Sequence, residues 1–141
     1  MVEIRVRYEG DLHCTAEHGP SGTRLATDAP VDNQGRGASF SPTDLAATAL
    51  GTCMLTTMGI VARRHEWDLS GATAVVEKEM VADPIRRIGK LTVRIRIPAA
   101  LDARARETLE RTARTCPVHK SLSSAVEIPL SFEWGPAPVP G

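Results

Sequence analysis

Three cysteines, Cys14, Cys53 and Cys116, carry the nucleophilic chemistry available to this 141-residue chain. Cys53 lies inside an uncharged run from Leu45 to Ala62, where a cysteine serves either as a small packed hydrophobe or as a reagent. A reactive thiol needs stabilisation of its thiolate. Far from a first turn it gains nothing from the helix dipole, so the cation must come from elsewhere in the fold. Cys116 opens the segment CPVHKSL, which puts its sulfur near the free amides of a new helix; these favour a thiolate. The bland alternative is a cysteine packed at a helix junction. Cys116 and His119 also match a CxxH metal half-site, with Cys53 as a third ligand and His65, His13 or Cys14 as a fourth, but no second half-site follows. A Cys–His nucleophile pair is a further reading. Cys14, on an edge-like strand, reads as a spectator.

The elements that must position these residues follow from the pattern along the chain. Residues 2–8 alternate as a half-buried strand, Leu12–Glu17 reads as a second and Thr23–Thr27 as a short third, so the chain begins as an antiparallel meander. Residues 28–40, rich in Gly, Asp, Asn and Pro, form a loop of the length that tends to be functional or mobile. It carries Arg36 between two glycines, where an arginine is ordinarily just solvated. Ser41, Pro42 and Asp44 then spell a helix start: N-cap, N1 proline and a carboxylate at N3 completing a capping box. Gly71–Asp83 and Lys90–Pro98 make a long hairpin around a charged turn at 84–89. Asp102 caps a helix with an inner stripe of Ala105, Leu109, Thr112 and Ala113, and Thr115-Cys116-Pro117 breaks it. A further helical turn or two over Val118–Ser124 and a last strand over Ala125–Trp134 complete a single α+β domain, 1–134, with a flexible Pro/Gly tail at 135–141.

The helix from Ser41 is apolar on most sides. Its eighteen uncharged residues just reach the length of a membrane span, but its threonines and glycines make a poor lipid face. Burial against a sheet on one side and a second subunit on the other suits it better. Charge excludes other roles. Seventeen basic and seventeen acidic residues cancel, leaving no field for nucleic acid or an anionic membrane. The charged N-terminus has no apolar core segment of a signal peptide, and three widely spaced cysteines are no disulfide framework, so a reducing cytoplasm is expected.

Taken together, SPTDLAATALGTC and, about sixty residues later, CPVHKSL resemble the OsmC/Ohr family of osmotically inducible and organic hydroperoxide resistance proteins. The order of elements agrees over roughly residues 2–134. The resemblance implies an OsmC-like fold in an intertwined homodimer and a thiol peroxidase that serves oxidative stress. Cys53 matches the peroxidatic cysteine and Cys116 the resolving one. The implied cycle forms a Cys53 sulfenic acid, condenses it with Cys116 to a disulfide and regenerates the thiols with an external dithiol, with no metal or organic cofactor. The family activates its cysteine with an arginine held by a glutamate. Here Thr43 stands at the glutamate position and Asp44 follows it, as in an S-P-x-acidic-L branch. Arg36 is the first candidate for the arginine and Arg24 the second.

Asp44 precedes Cys53 by nine residues, about two and a half turns and ~13 Å along the axis, on the opposite face. It is therefore expected to serve the site of a second subunit across a two-fold axis. Leu50, Met54, Thr57 and the loop 29–40 are expected as apolar walls that favour an organic hydroperoxide. The alternative reading is a redox-sensing or small-ligand-binding protein that keeps the fold and thiols but lacks the activating pair.

Overall fold

The computed structural model describes residues 1–136. Two compact units divide the chain, Met1–Ala46 and Ala47–Gly141. The Pro/Gly tail expected over 135–141 lies, from residue 137 onward, outside the described residues.

The first unit is the expected meander: β1 (Ile4–Gly10), β2 (His13–His18) and β3 (Arg24–Asp28), paired antiparallel in the order β1-β2-β3. Directly paired residues share a face, so the register sorts the side chains. Ile4, Val6 and Tyr8 line up with His18, Ala16 and Cys14 in turn, and Ala16 with Leu25. Arg5, Arg7, Glu17 and Arg24 occupy the opposite face, where Glu17 bridges Arg5 and Arg24. The apolar face is open: Ile4, Val6, Tyr8 and Leu25 are all exposed. After β3 the loop makes a short 3-10 turn, Val31–Asn33, and returns to Asp28, whose N–H donates to the Phe40 carbonyl at 3.1 Å.

Helix α1 runs from Pro42 to Arg64 and starts as its sequence dictates. The Ser41 hydroxyl accepts the Asp44 N–H at 3.1 Å while the Asp44 carboxylate accepts the Ser41 N–H at 2.9 Å, a reciprocal capping box. Arg63 and Arg64 end it beside the negative pole of the helix.

In the second unit, β4 (Thr73–Val81) and β5 (Arg87–Ile97) form the long hairpin, and β6 (Leu130–Trp134) joins β5 in parallel. Strand β5 starts at Arg87, within the stretch expected as turn. Gly89 makes this close pairing possible, since a Cβ there would lie 2.5 Å from Val81 Cγ1. Strand β6 is shorter than expected. Pro129 has no N–H for the ladder, and before it Glu127 makes only an isolated bridge to Lys90. The core gathers Ala47, Leu50, Met54, Met58 and Ala62 of α1 with Leu91, Val93, Ile95 and Ile97 of β5. Gly51 lets α1 approach β4: a Cβ there would meet Val76 Cγ2 at 3.0 Å. The rest of α1 is not enclosed by its own chain. Thr48, Thr52, Thr56 and Ile60, four apart, form an exposed uncharged ridge.

Candidate thiol site

Helix α2 (Ala103–Arg114) delivers Cys116 to its place. Asp102 caps it, accepting the Ala105 N–H at 2.8 Å, and Ala105, Leu109 and Ala113 are buried as expected, with Thr112 half-buried at their edge. Its outer flank is tied to β6. The Trp134 indole donates to Glu110 at 3.0 Å, the Arg106 guanidinium lies over the Trp134 ring and that of Arg114 over Phe132. Pro117 stops a continuous helix and starts α3 (Pro117–Ser121), a short helix that begins just before the expected 118–124 and ends earlier, where extended Leu122 caps it.

Cys116 is the N-cap of α3. Its Sγ accepts the His119 N–H at 3.4 Å, taking the place of the serine or aspartate oxygen usual there. The residue is 1% exposed. Burial pushes its thiol pKa above the ordinary value; the His119 N–H pulls it back, and the Cys53 side chain, by hydrogen bond and by charge, pushes it up again. The two cysteines are therefore within reach of each other, from α1 and from the α2–α3 junction. Cys53 is half-buried at the edge of the core, and the Thr57 hydroxyl donates to its carbonyl at 2.9 Å. One thiol is enclosed and the other is open on one side.

The remaining predicted residues fall elsewhere. Leu50 and Met54, expected as pocket walls, have no exposed surface at all and belong to the core facing β5. The helical period that places Cys53 at the edge turns its neighbour Met54 inward. Cys14 pairs with Tyr8 and Thr27 in the first sheet. Arg24 is engaged by Glu17 at 2.8 Å through both Nε and a terminal nitrogen. Arg36 is exposed on its loop, and its guanidinium makes no ion pair among the described residues. Asp44 caps its own helix. Among the described residues no three His, Cys, Asp or Glu side chains converge as a metal site.

One residue of consequence was counted only as the start of a loop. Asp28 is 1% exposed and closes β3. Its Oδ2 accepts the Ala38 N–H at 3.0 Å, and the N–H groups of Ala29 and Arg36 add to this. These bonds, Ala38's first, outweigh burial and hold its pKa below the ordinary carboxylate value; His13 adds to the lowering. The available signal was an aspartate between a β-strand and a turn-rich loop, a common loop anchor.

The comparisons with known proteins agree with this architecture. The family described as OsmC-like protein matches residues 35–131. The crystal structure of a Psychrobacter arcticus protein named for osmotic stress induction and detoxification response is 45% identical, with TM-score 0.88 over 94% of this chain and 96% of that one. The fold also matches the organic hydroperoxide resistance protein OsmC of Legionella pneumophila, at 18% identity and TM-score 0.76 over 94% of this chain and 96% of that one. An OsmC-like protein of Mycoplasma pneumoniae, 16% identical, aligns with TM-score 0.81 over 96% of this chain and 97% of that one. No curated protein matches the sequence. The family match spans more than half of the chain, from the loop before α1 into β6, and with the α+β architecture it places this protein in the OsmC-like family.

Proposed function

We propose that the protein is a cysteine-based hydroperoxide reductase. The observation that carries this reading is the pairing of a half-open Cys53 with a buried Cys116 whose side chains are near enough to influence each other. The Cys53 thiolate attacks the distal oxygen of a hydroperoxide; the O–O bond breaks, and the leaving alkoxide takes a proton to depart as an alcohol. Cys53 is thereby oxidised to a sulfenic acid. The Cys116 sulfur then displaces the hydroxyl, which leaves as water with the Cys116 proton, and a Cys53–Cys116 disulfide remains. An external dithiol restores both thiols by exchange. Arg36 is the cation assigned to the thiolate, in preference to Arg24, whose guanidinium is already occupied by Glu17.

The same reading includes a homodimer. Ile4, Val6, Tyr8 and Leu25 leave an open apolar face, and the α1 ridge of Thr48, Thr52, Thr56 and Ile60 is uncharged and exposed; contiguous exposed apolar surface marks interaction sites. In such a dimer Asp44 keeps its capping bond and faces the partner's site.

Peroxide consumption in the presence of a dithiol, comparing cumene hydroperoxide with hydrogen peroxide, tests the activity. Turnover that favours the organic substrate and disappears in Cys53→Ser supports the assignment. Undiminished turnover in that variant refutes it.

A further inference from the structure

We propose that Cys116 couples the oxidation state of the thiol pair to the folding of α3: as a thiol it caps this helix, and as half of a disulfide it withdraws the cap and loosens residues 117–122. The inference deepens the proposed function and rests on it, since that cycle forms the disulfide.

Helix α3 is a single turn, Pro117–Ser121, too short to stand by its backbone bonds alone. Two such bonds close it: the Lys120 N–H donates to the Cys116 carbonyl at 3.0 Å and the Leu122 N–H to that of Val118 at 3.1 Å. The Ser121 hydroxyl adds a bond to the Pro117 carbonyl at 2.8 Å. At the leading end Pro117 brings no N–H to satisfy. The His119 N–H is accepted by the Cys116 sulfur, and that of Val118 turns toward the same atom. The Thr115 hydroxyl, next in the chain, is directed back to the Arg111 and Thr112 carbonyls of α2 at 3.1 and 3.3 Å. The cap therefore rests on one sulfur.

The disulfide takes that same sulfur. Cys116 belongs to the buried core and Cys53 packs against that core from α1, both as free thiols. Condensation of a Cys53 sulfenic acid with the Cys116 thiol expels water and joins the two sulfurs. A covalent bond draws the Cys116 sulfur toward α1, closer than unbonded sulfurs approach, and a disulfide sulfur has no thiolate form to strengthen it as an acceptor. Both changes weaken the hold on the His119 N–H. What loosens matters for access. Val118 and Leu122 pack against the core that holds Cys116, a residue 1% exposed in the thiol state. Oxidation thus uncovers the disulfide for the external dithiol that must reach it, and reduction restores the cap.

The test measures hydrogen exchange at the amides of residues 119–122 and trypsin cleavage of the Lys120–Ser121 bond, before and after oxidation of the full-length protein. Two oxidants are used: cumene hydroperoxide, and diamide, which takes two electrons and two protons from a thiol pair without peroxidase chemistry. Oxidised wild type is expected to exchange these amides about fivefold faster than reduced, the worth of one helix cap, and to be cut sooner. Dithiothreitol should reverse both effects. C53S keeps the cap and forms no Cys53–Cys116 disulfide, so its α3 should stay protected under both oxidants. C116S, with serine as the cap, should match reduced wild type; C116A, with neither cap nor disulfide, should match oxidised wild type while itself reduced. If C116A folds poorly, the comparison of wild type with C53S decides alone. Equal exchange in reduced and oxidised wild type overturns the proposal, as does a C116A protein protected like C116S. Failure of both oxidants to form the Cys53–Cys116 disulfide overturns it too. A disulfide formed by diamide but not by hydroperoxide instead defeats the proposed function, and exchange in the diamide-treated protein then decides the switch.

Discussion

The sulfur of Cys116 accepts the His119 N–H while lying beside the side chain of Cys53, so one thiol is both a helix cap and the neighbour of the other. This division separates the roles of the pair. A sulfur that is enclosed, and whose pKa is raised chiefly by burial, stays a thiol until a partner arrives. The half-open Cys53 meets solutes first.

Alkylation should report that order. With iodoacetamide near pH 8, Cys53 and half-buried Cys14 are expected to label well before Cys116, by tenfold or more in rate. Mass spectrometry of timed digests checks this; Cys116 labelling first would contradict the assignment of roles.

Replacing Cys116 with serine should leave the first chemical step and remove the second. One equivalent of hydroperoxide is consumed, and the Cys53 sulfenic acid persists long enough for dimedone to trap it. In the wild type the adduct should be scarce and an internal disulfide should appear in its place.

The lowered pKa of Asp28 makes a prediction about acid stability. A carboxyl whose folded pKa is depressed contributes stability that is present above its unfolded value, here 3.8, and lost as pH falls through the folded value. Denaturant midpoints of the wild type should therefore fall below pH 4 more steeply than those of D28N. The two curves should run parallel above it.

Removal of the helix cap should be felt without harm to the thiols. Ser41→Ala deletes the acceptor of the Asp44 N–H and is expected to cost about 1 kcal/mol. Leu109→Ala, at a wholly buried position of α2, should cost about 2–5 kcal/mol. Urea unfolding of the two variants gives both values, with Leu109→Ala the larger loss.

Much of this arrangement was legible in the residues. Ser41-Pro42-x-Asp44 and Asp102 announced two helices correctly because capping is local chemistry, decided within four residues. The hairpin of β4 and β5 followed from strict alternation. The parallel partnership of β5 with β6 was not legible, since pairing between distant strands leaves no mark on either one's periodicity. The same limit explains Leu50 and Met54, whose apolar character suits a pocket wall and a core equally until the helix is oriented. Asp28 was missed for a related reason: its N–H partners are spread from Ala29 to Ala38, and only the folded loop brings them to one carboxylate.

The parallel β5–β6 ladder also sets an order of events in biosynthesis. Strand β6 is the last element among the described residues, and α2 and α3 lie between it and its partner. As the chain emerges from the ribosome, Cys53 is outside and exposed to solutes well before Cys116 has been made, and the α2 packing that holds Cys116 waits for Phe132 and Trp134. During that interval the nascent protein carries Cys53 without Cys116.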